Sequence, residues 1–120
     1  MKRDWDTIRE ILLRVEDLEP GKVLTLEDFY NGRHYEIGHH VELLNEAGLI
    51  LASIPGPRSN FPTEFYVDRL TWDGHDLLES VRDASIWKQT RATIAEQGGG
   101  MTFEIVKQMA VGLIKNQIGI

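Results

Sequence analysis

The sequence contains no cysteine among its 120 residues and no apolar run approaching the length of a membrane span. The first absence excludes disulfides, thiolate zinc sites and thiol nucleophiles. The second predicts that the chain does not span a bilayer, which takes about 20 consecutive apolar residues. Residues 1–17 are charged throughout and lack the apolar core of a signal peptide, so we expect a cytoplasmic protein.

Basic residues are also in short supply. The chain has 13 Lys and Arg residues against 19 Asp and Glu residues, which gives a net charge of −6. Proteins that bind nucleic acid usually carry a basic face, so this balance argues against such a partner. The apolar fraction of 42% and the charged fraction of 27% are typical of a globular chain, and the length fits one domain with a helical appendage.

Motifs of catalysis and cofactor binding are missing. The glycine triplet Gly98-Gly99-Gly100 lacks the lysine and the flanking pattern of a phosphate-binding loop. Serines are few, and none belongs to a pattern with His and Asp that suggests a nucleophile. We therefore expect no enzymatic activity and no cofactor.

One cluster suggests a metal site at first reading: His34, Glu36, His39 and His40. Glu36 and His40 share a helix face, but there is no His-Glu-x-x-His pattern and no second ligand cluster. We therefore expect no metal, and we interpret His40 as a half-buried packing residue.

Helical periodicity organises the first half of the chain. A first helix is predicted with Asp4 as its N-cap and residues 19–21, Glu-Pro-Gly, at its end. A short extended piece at residues 22–24 leads into residues 25–28, which have the form of a capping box and predict a brief helix. This helix is predicted to leave through a left-handed turn at residues 31–32, Asn-Gly. The next helix ends at Gly48, and its predicted buried row is Ile37, Val41 and Leu44.

Two strands follow, at residues 49–54 and 63–70, and the proline-rich loop 55–62 separates them as a wing. Further helices are predicted to start at Thr71, at Asp83 or Ser85, and at Thr102.

The predicted fold class is therefore mainly α (α+β), a winged helix-turn-helix with a two-stranded wing and additional C-terminal helices. We predict a winged-helix domain over 1–83 and a helical extension over 84–120. By their helical spacing, Trp5, Trp72 and Trp87 are predicted core residues.

Three stretches carry a family resemblance. They are MKRD with IREILL near the N-terminus, HVELLNEAGLI at residues 40–50, and LTWDGHDLL at residues 70–78. Together they resemble the bacterial and prophage family known as domain of unknown function 2513. The resemblance implies a winged-helix fold and a bacterial or prophage origin, and it implies no activity.

If the domain docks on double-stranded DNA, the helix after the turn enters the major groove. Its predicted exposed residues include Glu36, Gly38 and Glu42. The candidate contacts combine base-reading residues on this helix with phosphate contacts at the wing tip. They are Arg33, His34, Tyr35, His39 and Asn45 on the helix, and Arg58 and Asn60 on the wing.

The charge of this region leaves two functions open. Residues 22–70 hold four basic and seven acidic residues, a net charge of −3, whereas specific DNA binders often make roughly 6–10 phosphate contacts. The first hypothesis is a small winged-helix DNA-binding, transcription-regulator-like protein. The alternative is an acidic winged-helix module that binds a protein and no DNA, for example a phage-encoded inhibitor of a host nucleic-acid machine.

The C-terminal helices raise a separate question. Residues 85–120 carry a net charge of +2 and are rich in apolar residues. The apolar face of the last helix is therefore expected to be buried against another surface. It either packs on its own domain or forms the interface of a homodimer, and the two alternatives are compatible.

Overall fold

The computed structural model describes residues 1–55, 62–98 and 100–119. The predicted wing contacts Arg58 and Asn60 lie outside the described residues. The described part of the chain forms five α-helices and a three-stranded antiparallel sheet, which confirms the predicted mainly α, α+β class. It divides into two compact units, residues 1–75 and residues 76–120.

Helix α1 spans Trp5–Glu16, and its N-cap is Asp4, as predicted. The Asp4 carboxylate accepts a hydrogen bond from the backbone N–H of Asp6 at 2.9 Å, which satisfies a donor that the helix itself leaves unpaired. The apolar positions of α1 recur at spacings of three and four and are buried as a single stripe: Trp5, Ile8, Ile11, Leu12 and Val15.

The segment after α1 differs from its prediction. Strand β1, Leu24–Thr25, leads into two short 3₁₀ turns at Leu26–Asp28 and Asn31–Arg33. The predicted brief helix therefore begins where expected, but its predicted extent to residue 31 is wrong, because it ends at Asp28 after one 3₁₀ turn. Its capping box is present, since the Asp28 carboxylate accepts from the backbone N–H of Thr25 at 2.8 Å. Phe29 interrupts the helical path with an extended backbone and places its ring edge-on against Phe65 in the core.

The predicted left-handed exit at residues 31–32 is also wrong, because neither residue has a positive φ and both belong to the second 3₁₀ turn. That turn runs directly into helix α2, His34–Glu46. The helix buries Ile37, Val41 and Leu44 as predicted, and Gly48 follows it with a φ of 75°, the left-handed exit typical of glycine.

Strands β2, Ile50–Ser53, and β3, Tyr66–Leu70, come next. The sheet order is β1-β3-β2, so the two-stranded wing of the prediction gains β1 as a third strand. In the register of β2 with β3, Leu51 lies opposite Arg69 and Ala52 opposite Val67, so that Asp68 forms a bulge.

Helix α3, Trp72–Val81, begins where the chain leaves the sheet. The Thr71 hydroxyl accepts from the backbone N–H of Gly74 at 3.1 Å and donates to the carbonyl of Gly48 at 2.5 Å. Gly74 is buried, and a Cβ atom there would collide with the carbonyl oxygen of Leu49.

The three tryptophans were predicted to be core residues. Trp5 and Trp87 are core residues as predicted, but Trp72 is 81% exposed, so its prediction is wrong.

The second unit contains helices α4, Ala84–Glu96, and α5, Phe103–Gln117, which pack against each other. Asp83 and Thr102 cap them by accepting from backbone N–H groups three residues ahead, and Gly98 leaves α4 with a φ of 68°. No helix of the described ranges has the length and apolarity to cross a membrane. The winged-helix assignment and the domain boundary at residue 83 stay predictions.

Candidate functional site on helix α2

The Arg33 side chain, a predicted DNA contact, is held by two carboxylates. Its Nη1 and Nη2 donate to Glu10 at 2.9 and 3.0 Å, and its Nη2 and Nε donate to Glu36 at 3.1 and 3.3 Å. Glu36 also accepts from the Thr7 hydroxyl at 2.6 Å. This Arg33 cluster ties α2 to α1 and carries one positive charge against two negative ones.

The same contacts set the ionisation of the cluster. The hydrogen bond from Arg33, and then that from Thr7, lowers the pKa of Glu36 below its ordinary value of 4.5. The hydrogen bonds to Glu10 and Glu36 raise the pKa of Arg33. Near neutral pH, therefore, both partners are charged and paired.

We expect Glu36→Gln to make unfolding less dependent on pH. A carboxylate with a depressed folded-state pKa stabilises the fold fully above its unfolded value, and this contribution disappears as pH falls through the folded-state pKa. The side chain is about one-third exposed, so the difference from the wild type should be about 1 kcal/mol at most at pH 7. Urea unfolding at pH 7 and below pH 4 measures it, and parallel wild-type and variant profiles would contradict the assignment. Thr7→Val, which removes one of the two hydrogen-bond sources, should flatten the profile less.

Two further predicted contacts also have partners inside the fold. His34 Nε2 lies 3.0 Å from the carbonyl oxygen of Phe29, to which it donates. The Asn45 side-chain oxygen accepts from the backbone N–H of Ala52 at 3.2 Å. These side chains hold the two ends of α2 to the neighbouring segments, so binding a base through the Asn45 oxygen or the His34 Nε2 would require exchange of an existing hydrogen bond.

His40 is buried far more completely than predicted, with an exposed fraction of 1%. Its Nδ1 donates to the carbonyl of Glu36 at 2.7 Å, and its Nε2 accepts from the backbone N–H of Asp4 at 2.8 Å. The two bonds define a single neutral tautomer and leave neither ring nitrogen for a metal. The described parts of the chain contain no group of three or more potential metal ligands.

The segment that enters β3 crosses α2 at Gly38. A Cβ atom on Gly38 would lie 3.2 Å from the backbone of Thr63, and the Thr63 hydroxyl donates to the Glu42 carboxylate at 2.9 Å. Gly38 is therefore buried, and its predicted exposure is wrong. The sequence could not show this, because the contact depends on the path of the segment around Thr63, 25 residues further along the chain.

The outward side of α2 carries a row at spacings of four, three and four residues, which we call the outer stripe: Tyr35, His39, Glu42 and Glu46. Tyr35 is 55% exposed, and Glu46 is exposed. The stripe contains two of the predicted contacts, Tyr35 and His39, together with two carboxylates. It offers an aromatic ring and hydrogen-bonding groups at one end and negative charge at the other.

Two exposed aromatic residues were missed by the sequence reasoning. Tyr30 is 77% exposed on the approach to α2, and Trp72 is exposed at the start of α3. The exposure of Trp72 could have been inferred from the sequence. Trp72 directly follows the capping Thr71 and lies two residues before Gly74, so that it points away from the side of α3 on which the glycine packs. Exposed tyrosine and tryptophan are enriched where proteins bind other proteins.

These features define a small, mainly helical α+β protein whose candidate surface is acidic and aromatic. The chain belongs to the family described as "Hypothetical protein (DUF2513)", whose model matches residues 2–100. A Haemophilus influenzae protein described as an uncharacterized protein is 33% identical to it over 120 residues, which cover 98% of this chain and 99% of that protein. No solved structure matches the chain. The family resemblance seen in the sequence is thus confirmed.

Proposed function

We propose that this protein is a protein-interaction module whose outer stripe on α2 binds a basic segment of a partner protein. The observation that carries the proposal is the Arg33 cluster, in which the one basic residue predicted for the α2 surface is held by Glu10 and Glu36. A cluster with a net charge of −1 gives a DNA phosphate no attraction.

The chemistry of the outer stripe fits a basic and partly apolar ligand. Glu42 and Glu46 lie one and two turns beyond His39, where a Lys or Arg side chain of the partner could pair with a carboxylate. Tyr35 offers a ring face for the apolar stem or the cationic head of such a side chain. The net charge of −6 over the chain would favour encounter with a basic partner and oppose approach to nucleic acid.

Binding of two fluorescein-labelled probes separates this proposal from DNA binding. One probe is a Lys- and Arg-rich peptide, and the other is a random-sequence DNA duplex, each titrated by anisotropy at about 50 mM and about 200 mM salt. We expect the peptide to bind at the lower salt and the duplex to show no salt-sensitive binding. Tight, salt-sensitive binding of the duplex with no binding of the peptide would overturn the proposal in favour of DNA.

We expect the double variant Glu42→Gln, Glu46→Gln to weaken peptide binding about fivefold, because it removes two exposed ion pairs with the ligand. Glutamine keeps the oxygen that accepts from Thr63, so the fold should be retained. The matched control is Asp76→Asn with Glu96→Gln, which removes the same charge from exposed positions of the other unit. If both double variants weaken binding equally, the outer stripe is not the binding surface.

DNA binding stays the second candidate, and Tyr35 and His39 are the observation that favours it, since both lie on the outer stripe with groups able to reach base edges. If the duplex binds, Tyr35→Phe and His39→Ala should weaken that binding. Arg58→Ala then tests the predicted phosphate contact of the wing. Under the protein-binding proposal, Arg58→Ala leaves peptide affinity unchanged.

A further inference from the structure

Only one side of helix α5 is buried within its own chain. Over its 15 residues it fully buries Val106 and Ala110, which mark the side that faces inward. At about 100° per residue, Gln108 lies roughly opposite that side. The outward face around it contains four residues at spacings of four, three and four, which we call the α5 row: Glu104, Gln108, Val111 and Lys115.

Gly112 flanks this row in the middle of the helix. It has an ordinary helical backbone, and a Cβ atom there would meet nothing within 4 Å. Glycine in a helix interior costs stability relative to alanine, and no contact among the described residues explains it here. The glycine helps to form a shallow depression of about 380 Å³, lined by Glu104, Lys107, Gln108, Val111, Gly112 and Lys115.

The charges at the two ends of the row are complementary to each other. Glu104 and Lys115 are 11 residues apart, which places them about 16 Å apart along the axis and about 20° apart around it. Both side chains are exposed, and in the part of the chain that the structure describes neither has an ion-pair partner. The separation is too long for them to pair within one helix.

We propose that α5 pairs with α5 of a second copy of this chain in an antiparallel arrangement centred between Met109 and Ala110. In that register, Glu104 of each copy meets Lys115 of the other, and Gln108 meets Val111. A parallel pair would instead place like charges together. Spacings of four, three and four are those of a helix–helix seam, and Gly112 beside the seam permits the two helices to approach closely.

The chemistry of the outward face also defines how strong this pairing is. Ile105, 38% exposed, and Val111 supply apolar area beside the two ion pairs, whereas the rest of the seam is polar. The dimer is therefore weak, reversible and sensitive to salt, because exposed ion pairs are screened at high ionic strength.

The test is sedimentation equilibrium of the full chain over a wide concentration range, at about 50 mM and about 500 mM salt. We expect a monomer–dimer equilibrium that high salt shifts toward monomer. Glu104→Lys and Lys115→Glu should each raise the dissociation constant about tenfold or more, because each brings like charges together twice in the symmetric pair. Circular dichroism of each variant checks that α5 is retained.

A mixture of the two single variants gives the sharpest result. One variant has lysine at both ends of the row and the other has glutamate at both ends. The mixture should therefore form a heterodimer at concentrations at which each variant alone is monomeric. The matched controls Glu96→Lys and Lys88→Glu make the same charge changes at exposed positions of α4 and should dimerise like the wild type. A wild type that is monomeric throughout, single variants that dimerise as well as the wild type, or a mixture with no heterodimer would each overturn the proposal.

Discussion

Replacing Gly74 with alanine is expected to destabilise the protein by about 3 kcal/mol, near the upper end of what overpacking of one atom usually costs. The new Cβ atom would collide with the backbone carbonyl oxygen of Leu49, which no side-chain rotation can relieve. The same carbonyl accepts from the backbone N–H of Thr71 at 3.1 Å. Moving β2 away from α3 would therefore also strain the hydrogen bond through which the chain enters α3.

The matched control for this variant is a glycine with open space above it. Gly112→Ala should stabilise the chain by about 0.5–1 kcal/mol, because alanine is the better helix former and meets nothing within 4 Å. Chemical unfolding of both variants under the same conditions gives the comparison. Equal effects of the two substitutions would show that the approach of α3 to Leu49 is not tight.

His40→Ala has the second large expected effect, a loss of about 3 kcal/mol in the free energy of unfolding. The substitution leaves a cavity in a fully buried place, and it removes the ring nitrogen that accepts from the N–H of Asp4 and the ring N–H that donates to the carbonyl of Glu36. His40→Gln can replace one of these hydrogen bonds and should lose less.

His39→Ala provides the neighbouring control. His39 is half-buried and stacks edge-on against His40 with 5.4 Å between the ring centroids, so its removal should cost less than about 1 kcal/mol. Thermal unfolding followed by circular dichroism distinguishes the pair. A His40→Ala protein as stable as His39→Ala would mean that the two backbone contacts of His40 contribute little.

Local signals in the sequence predicted most of the helices. Asp4, Asp83 and Thr102 are recognisable caps because the chemistry of capping involves residues two or three positions apart. Gly48 and Gly98 are recognisable exits for the same reason. The sequence predicted a short extended piece at residues 22–24 but not the strand β1, which is too short to show a period and depends on pairing with β3, about 40 residues later.

The candidate site was less accessible to sequence reasoning. The sequence favoured Arg33 as a free DNA contact, because the only acidic residue close to it in sequence is Glu36. Glu36 makes only part of the Arg33 contacts. The bidentate partner, Glu10, lies 23 residues earlier on α1, and only the packing of α1 against α2 brings the two together. The residue types of the α2 surface were therefore predictable, whereas the partners that hold them were not.

The bond between Asn45 and Ala52 has a consequence for how the protein resists aggregation. Strand β2 is at an edge of the sheet, where an unpaired backbone N–H can recruit a strand from another molecule. The Asn45 side chain accepts from the N–H of Ala52, and the bulge at Asp68 breaks the regular register beside it. Asn45, which the sequence suggested as a contact to DNA bases, thus helps to prevent another strand from pairing with this edge of the sheet.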